Sequence, residues 1–379
     1  MANIKNLQKA ADRILEAIEN QEKIVLYGDA DLDGVSAVII VKEAIQNLKG
    51  KVAEIYFPDR EKEGYGITPH ALECLKEFSP ALLIALDCGI SNFEEIKKAH
   101  ELGFEVIVID HHKILEKLPE ADIIVDPKQE GDSYPFKELS TGGIAFKLAE
   151  LIVGDRMSEG LRDSFLELAG LSTMADKMPK EEDNEYFIEE GLRSLEDSWR
   201  PGIQAMFSMF SDLDYNRYNR ISKIISILNV RDVEDGYPSS YNVLTTSSPE
   251  KLTEIISRLR RKNEERQEKM HQIVDEVRER DARKAEPIIF EGESYWDYPL
   301  ISAVASIISQ DVEKPVFLYK KLDEESQGTV RSPSDIDSVE LMKKCKQYVE
   351  TYGGHPRASG FRIKNEKIEQ FKNCLIENL

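Results

Sequence analysis

The chain has 379 residues, 41% hydrophobic and 32% charged, with a formal net charge of −21. That length and composition give room for two cores and exclude a fibrous or low-complexity chain. The acid excess argues against binding nucleic acid through a general positive field, while leaving room for a local basic patch. No apolar run reaches the length of a membrane span, and the first twenty residues lack a signal peptide's apolar stretch. The four cysteines (Cys74, Cys88, Cys345, Cys374) form no CxxC pair. The expectation is a cytoplasmic, reducing setting with no membrane partner, and the cysteines suggest neither a zinc site nor a disulfide framework.

Along the chain, the spacing of Leu7, Ile14, Leu15 and Ile18 predicts a helix ahead of the first strand. Short apolar runs follow at 23–28 (KIVLYG), 52–58 (VAEIYFP), 81–87 (ALLIALD), 105–110 (EVIVID) and 122–126 (DIIVD). Helical patterns at 35–48, 68–78 and 92–103 lie between them. Near-continuous β-branched runs alternating with helices predict α/β architecture, a doubly wound and mainly parallel sheet covered on both faces. Helices dominate from Gly142 to Leu228. Residues 248–284 read as one long charged helix, capped by Ser248, whose apolar stripe (Leu252, Ile255, Ile256, Leu259) thins after Arg260. A helix that turns polar nearly all round bridges domains through solvent. A second, smaller α/β pattern then runs to the last residue (PIIFEG, LISAVASIISQ, PVFLYK, TVRS, SGFRIKN). The expected division is a catalytic domain over 1–247, a connector helix over 248–284 and a smaller domain over 285–379, with the boundary near 284–287.

The chemistry gathers at the strand ends. Asp29, Asp87, Asp110 and Asp126 each close an apolar run, and in a doubly wound parallel sheet those ends line the edge where ligands bind. Asp29 leads on to Asp31 and Asp33, and Asp110 leads on to His111 and His112. A single Asp at a strand end is ordinarily a helix cap or turn former, and Asp126, before Pro127, is read that way. Six carboxylates on one rim repel one another unless cations sit among them. Oxygen with imidazole ligation points to Mn²⁺, with Mg²⁺ or Zn²⁺ ranked behind it.

At this point the sequence resembles a family. GDADLDGVSA, ALDCGIS, IVIDHHK and LSTMADKMPK look like the four ordered motifs of the DHH phosphoesterase superfamily. PDREKEGYGIT (58–68) and STGGIAFKLAEL (140–151) resemble segments of RecJ-type exonucleases. TVRSPSDID and YGGHPRASGFRI resemble the RS and GGGH motifs of the DHH-associated C-terminal domain, the latter one glycine short. No counterpart of the additional OB-type domain of bacterial RecJ proteins is expected. The compact form is more like archaeal RecJ-like proteins, some of which associate with the GINS complex of the replisome.

The resemblance implies a metal-dependent exonuclease that hydrolyses single-stranded DNA or RNA from an end by a two-metal mechanism, in replication or repair, with GINS as a candidate partner. It implies two divalent cations, Mn²⁺ first and Mg²⁺ second, on Asp29, Asp31, Asp33, Asp87, His111 and Asp176, with Asp87 as the bridge. His112 would face the scissile phosphate or leaving oxygen, and Asp110 would fix the histidine pair. Neighbouring carboxylates would anchor the other nitrogen of His111. Arg331, Ser332, Gly353, Gly354 and His355 would grip phosphates, joined by Arg60 and Tyr65, with Arg357 a weaker candidate. The active site is expected in the cleft between the domains. The RLRRKN run reads as a solvated helix face, His70, His100 and His271 as ordinary, and Trp199 and Trp296 as packing residues. The rival readings are a related phosphodiesterase or phosphatase for short oligonucleotides, cyclic dinucleotides or 3′-phosphoadenosine phosphate, and a non-catalytic replisome scaffold. The scaffold is disfavoured because every ligand position is filled. An inorganic pyrophosphatase is disfavoured because that branch starts its first motif with histidine.

Overall fold

The computed structural model describes residues 3–60, 62–114, 117–210, 216–284 and 286–379, with the backbone alone at Glu196. Glu61 of the GYG stretch and Ala285 at the expected boundary lie outside the described residues. The chain divides into two compact units, Met1–Arg261 and Lys262–Leu379.

The first unit opens with α1 (Leu7–Glu19), β1 (Ile24–Gly28), α2 (Leu32–Asn47), β2 (Val52–Tyr56) and α3 (Pro69–Leu75). It continues with β3 (Ala81–Leu86), α4 (Phe93–Glu101), β4 (Phe104–Ile109) and β5 (Ile123–Val125). These five strands run parallel in the order β2-β1-β3-β4-β5, as the alternating pattern predicts. Every residue of β1 and β3 is buried, which is why these runs read as continuously apolar. Leu26, Ile84, Ile107 and Ile109 pack on the face that carries α1 and α2, while Val25, Leu83, Val106 and Val108 pack on the face that carries α3 and α4. Strand order reverses between β1 and β3, and sheets of this order bind ligands at the carboxyl ends flanking that point.

A helical section follows: α5 (Thr141–Val153), α6 (Glu159–Ala175), α7 (Glu182–Ser194), α8 (Pro201–Met209) and α9 (Arg217–Leu228). The short hairpin β6 (Val233–Glu234) and β7 (Tyr237–Pro238) then leads into α10 (Ser239–Thr245). Apolar residues of α5 and α6 join the core on the α2 face of the sheet.

The long helix α11 (Pro249–Ala282) is capped as expected, with the Lys251 N–H donating to Ser248 Oγ at 3.4 Å. It does not turn polar all round. Leu252, Ile255, Ile256 and Leu259 are buried in the first unit's core, and Met270, Ile273, Val274 and Val277 repeat the same spacing into a core of the second. The division between units falls in the charged stretch between these stripes, upstream of the 284–287 boundary that the polar composition suggests. Arg258 of the RLRRKN run donates to Asp232 and Glu234 within the first unit.

The second unit continues with β8 (Ile289–Glu293), α12 (Tyr298–Asp311), β9 (Val316–Lys321), β10 (Glu325–Arg331) and α13 (Ser338–Lys344). It ends with β11 (Thr351–His355), β12 (Ala358–Lys364) and α14 (Ile368–Glu377). Its sheet runs β11-β12-β10-β9-β8, with only β8 and β9 parallel. Two expectations fail here and in the first unit. Cys345 and Cys374 form a disulfide across 29 residues of sequence, joining the C-terminal end of α13 to α14. Trp296 is buried, but Trp199 is 57% exposed, its ring against the Arg200 guanidinium. Among the described residues no helix is long and apolar enough to cross a membrane.

Candidate metal centre

Backbone chemistry accounts for the placement of the three alternating aspartates. Asp29 follows β1. Asp31 caps α2, its Oδ1 accepting from the N–H groups of Asp33 and Gly34 at 3.1 and 3.2 Å. The helix therefore begins at Leu32, three residues before the apolar pattern suggests, and Asp33 lies in its first turn. Side chains at cap positions satisfy orphan helix donors, and carboxylates there also complement the helix dipole. Asp33 is buried and heavily bonded. Its Oδ2 accepts from the Thr141 N–H at 2.9 Å, and its Oδ1 from the Gly142 N–H at 2.7 Å and the Ser172 hydroxyl at 2.5 Å. The N-terminus of α5 thus points its N–H groups at the Asp33 carboxylate. Ser140 caps that helix by accepting from the Gly143 N–H at 3.1 Å.

Asp87 follows β3 with φ of 64°, a conformation that non-glycine residues seldom adopt. It is buried, and its Oδ1 accepts from the Thr141 hydroxyl at 2.9 Å. Asp110 follows β4. Its Oδ2 accepts from the Ile90 N–H, and its Oδ1 accepts from the N–H groups of His111 and His112 and lies 2.7 Å from His112 Nδ1. Burial pushes the Asp110 carboxyl up, but the bonds and charge of His112 and the Ile90 N–H together outweigh it and hold the group below its usual range. Asp110 therefore meets the ring of His112 and the backbone of both histidines.

His111 is buried with Nε2 turned to the acids, 3.5 Å from Asp87 Oδ1, 3.5 Å from Asp176 Oδ2 and 3.7 Å from Asp33 Oδ2. Burial pushes its pKa down, which favours the neutral imidazole a cation requires. Its Nδ1 has no partner among the described residues, so the carboxylates meet Nε2 and not the nitrogen expected to be anchored. Asp176 closes α6 and arrives from the helical half of the unit. Burial, then repulsion from Asp33, pushes its carboxyl up to about 6. Asp87 is pushed well above the carboxylate range by burial, reinforced by Asp33, Asp31 and Asp110. These shifts are what burial together with crowding of like charges produces, and a dication among them would reverse the direction.

Among the described residues, three groups have donor atoms within 4.8 Å of one another: Asp87 with His111 and His112, Asp33 with His111 and Asp176, and Asp29 with Asp31 and Asp87. Asp87 is common to two groups and His111 to two, so the clusters interlock. Carboxylate oxygens with one or two imidazoles suit Mn²⁺ or Mg²⁺ better than a thiolate-seeking ion. All six expected ligands converge. Asp126, by contrast, is buried behind the rim, its Oδ1 accepting from the Lys128 N–H at 2.7 Å, in keeping with a turn residue.

The substrate candidates separate into two sets. Arg60 lies across the acidic rim. Its Nε donates to Asp29 Oδ1 at 2.5 Å, and its Nη2 donates to Asp29 Oδ2 and, at 3.0 Å, to Asp31 Oδ2. Tyr65 stands between Gly64 and Gly66, whose φ values of 93° and 83° favour residues without a Cβ. Its hydroxyl donates to the Asp87 carbonyl at 3.2 Å and lies 3.2 Å from His112 Nδ1. In the second unit the RS and GGH segments share one end of the sheet: Arg331 pairs with Ala358, Ala358 pairs with His355, and the Ser332 N–H donates to the Arg357 carbonyl. Arg331 is not an open fork. Its Nε donates to Ser306, its Nη1 to Thr329 and the Val330 carbonyl, and its Nη2 to Ser302, all at 2.8–3.1 Å. None of these partners carries charge. The Ser332 hydroxyl is buried without a partner among the described residues, and Gly353, Gly354 and His355 lie on the exposed edge strand β11. Thr141, Gly142 and Ser172 are the site residues that motif reading passes over. Thr141 and Gly142 stand in the STGG stretch and Ser172 in LSTMADKMPK, which carry the signal.

Residues 23–174 match the DHH family, N-terminal domain, and residues 255–379 match the DHHA1 domain. The single-stranded-DNA-specific exonuclease RecJ of Bacillus subtilis (strain 168) is 33% identical over 381 residues, covering 99% of this chain and 48% of that protein. The chain is a RecJ-like protein of the DHH superfamily. It spans about half the length of that Bacillus relative. A crystal structure of exonuclease RecJ bound to manganese superposes on this RecJ-like chain with a TM-score of 0.79 and 26% identity, covering 99% of this chain and 94% of that one. RecJ from Thermus thermophilus in complex with Mn²⁺ gives a TM-score of 0.78 at 24% identity over 99% of this chain and 54% of that one, a likeness of fold.

Proposed function

We propose that this RecJ-like chain hydrolyses the phosphodiester bonds of single-stranded nucleic acid from an end, using two divalent cations, Mn²⁺ first and Mg²⁺ second. The observation that supports this is the interlocking of the three donor groups through Asp87 and His111, at the point where strand order reverses. Relatives named as single-stranded-DNA-specific exonucleases support the substrate class. Cations held there would supply Lewis-acid polarisation of the phosphodiester and an activated water.

The side chains have separable duties in this reading. Asp29, Asp31 and Asp87 would hold one ion, and Asp33, His111 and Asp176 the other, with Asp87 near enough to both groups to serve each. Asp110 fixes His112 through the 2.7 Å contact, and His112, on the more open side of the pair, donates toward the phosphate or the departing oxygen. Arg331 supplies positive charge in the second unit, where only neutral groups meet it. Arg60 must release Asp29 and Asp31 for a cation to use them, and its guanidinium then becomes available to substrate.

Digestion of 5′- and 3′-labelled single-stranded DNA and RNA with Mn²⁺, Mg²⁺ or chelator, read by product length, tests the reading. Progressive shortening with Mn²⁺, abolished by chelator, is expected. Cleavage of dinucleotides while long strands stay intact would instead point to an oligonucleotide phosphodiesterase, and no turnover on either would remove the enzymatic reading. Co-purification with GINS tests the wider replisome role.

A further inference from the structure

We propose that Thr141 is a positioning residue that couples Asp33 to Asp87, so that the cation affinity of the centre depends on its hydroxyl. The inference deepens the metal-dependent reading above and rests on it. Thr141 is the first residue of α5 and is fully buried. Its two donors go to two different carboxylates: the N–H to Asp33 Oδ2 and the Oγ1–H to Asp87 Oδ1, both at 2.9 Å. One residue therefore links the carboxylate carried by α2 to the one that follows β3.

The two carboxylates differ in how firmly they are otherwise held. Asp33 has two further donors, the Gly142 N–H and the Ser172 hydroxyl. Thr141 supplies the only hydroxyl bonded to the Asp87 carboxylate among the described residues. Asp87 Oδ1 is also the atom that lies 3.5 Å from His111 Nε2. Occupying one lone pair of Oδ1 fixes the carboxylate's rotation, leaving its other lone pair and Oδ2 for cations. That matters most for Asp87, the residue shared by two donor groups. Partners that orient a ligand carboxylate commonly change metal affinity by roughly 10- to 100-fold when removed.

Thr141→Val keeps the β-branched shape and removes the hydroxyl, and Thr141→Ser restores it. Free Mn²⁺ is measured by electron paramagnetic resonance during titration of the wild-type chain and both variants. Far-UV circular dichroism and thermal melts report the fold, and hydrolysis of a single-stranded oligonucleotide gives kcat and KM. The expected result is Mn²⁺ binding weakened on the order of tenfold or more in the valine variant. Its kcat should fall with KM unchanged, and the serine variant should stay within about threefold of wild type. Equal Mn²⁺ affinity in wild type and Thr141→Val overturns the inference, as does a serine variant as weak as the valine one. Should the valine variant not fold, Thr141→Ala carries the same comparison. A wild-type chain that binds Mn²⁺ but does not cut strands, with the valine variant still weakened, supports the inference while removing the nuclease reading. A wild-type chain that binds no Mn²⁺ overturns both.

Discussion

Asp126 follows β5 without solvent exposure, and its Oδ2 has no hydrogen-bond partner among the described residues. Burial, opposed by the Lys128 N–H and reinforced by Asp110, pushes its carboxyl up from 3.8 to about 7. The folded state therefore holds this proton more tightly than the unfolded chain does. The stability that comes with it is complete below about pH 4 and is lost as pH rises through 7. Each pH unit in that window is worth about 1.4 kcal/mol, and the whole displacement roughly 4 kcal/mol. Asp126→Asn keeps the shape and the Oδ1 acceptor without a titrating proton. The new amide N–H₂ needs a partner, which adds an offset of about 1–3 kcal/mol that does not depend on pH. The test is accordingly the slope. Urea unfolding in chelator at pH 5, 6, 7 and 8 should show the variant gaining about 2 kcal/mol on wild type between pH 5 and 7, then levelling off. A difference that is flat across this range, or that falls with pH, refutes the argument.

Four further outcomes are expected. Asp87→Ala should lower turnover on the order of a thousandfold while far-UV circular dichroism stays unchanged; full turnover would remove Asp87 from the centre. Arg60→Met leaves the buried Asp29 without its cationic partner, so the metal-free protein should lose about 3 kcal/mol in urea melts while Mn²⁺ binds more tightly by calorimetry. Arg331→Lys cannot reach Ser302, Ser306 and Thr329 together, and KM for a long strand should rise roughly tenfold with kcat unchanged. Glu167, buried and accepting from Ser198, is pushed by burial up from 4.5 to about 7. With the same sign as Asp126, Glu167→Gln should gain roughly 3 kcal/mol on wild type from pH 4 to 8, read from chemical melts.

The first unit was legible because its strands are buried on both faces, so apolar runs such as IVLYG and ALLIAL stand out against the helices between them. Carboxylates that follow such runs fall on one edge by topology alone, and Asp29, Asp87 and Asp110 could be placed together without coordinates. What stayed hidden depended on contacts between distant residues. Nothing near Arg60 signals that its guanidinium spans Asp29 and Asp31, 31 and 29 residues away. Nothing near Cys345 signals Cys374.

The two stripes of α11 were obscured differently. Leu252, Ile255, Ile256 and Leu259 share their spacing with Met270, Ile273, Val274 and Val277, but the charged turns between them make the helix read as solvated. Reading each stripe separately would have placed the division inside the helix. Thr141 shows the same effect at the site. A threonine beside a cap serine looks like ordinary helix initiation, and its local role at the start of α5 is that. Its value to the centre comes from what stands opposite, two carboxylates carried by other elements. Since a carboxylate crowded by like charges must be oriented before a cation can use it, groups that merely cap helices locally are where the supporting residues of such a centre should be sought.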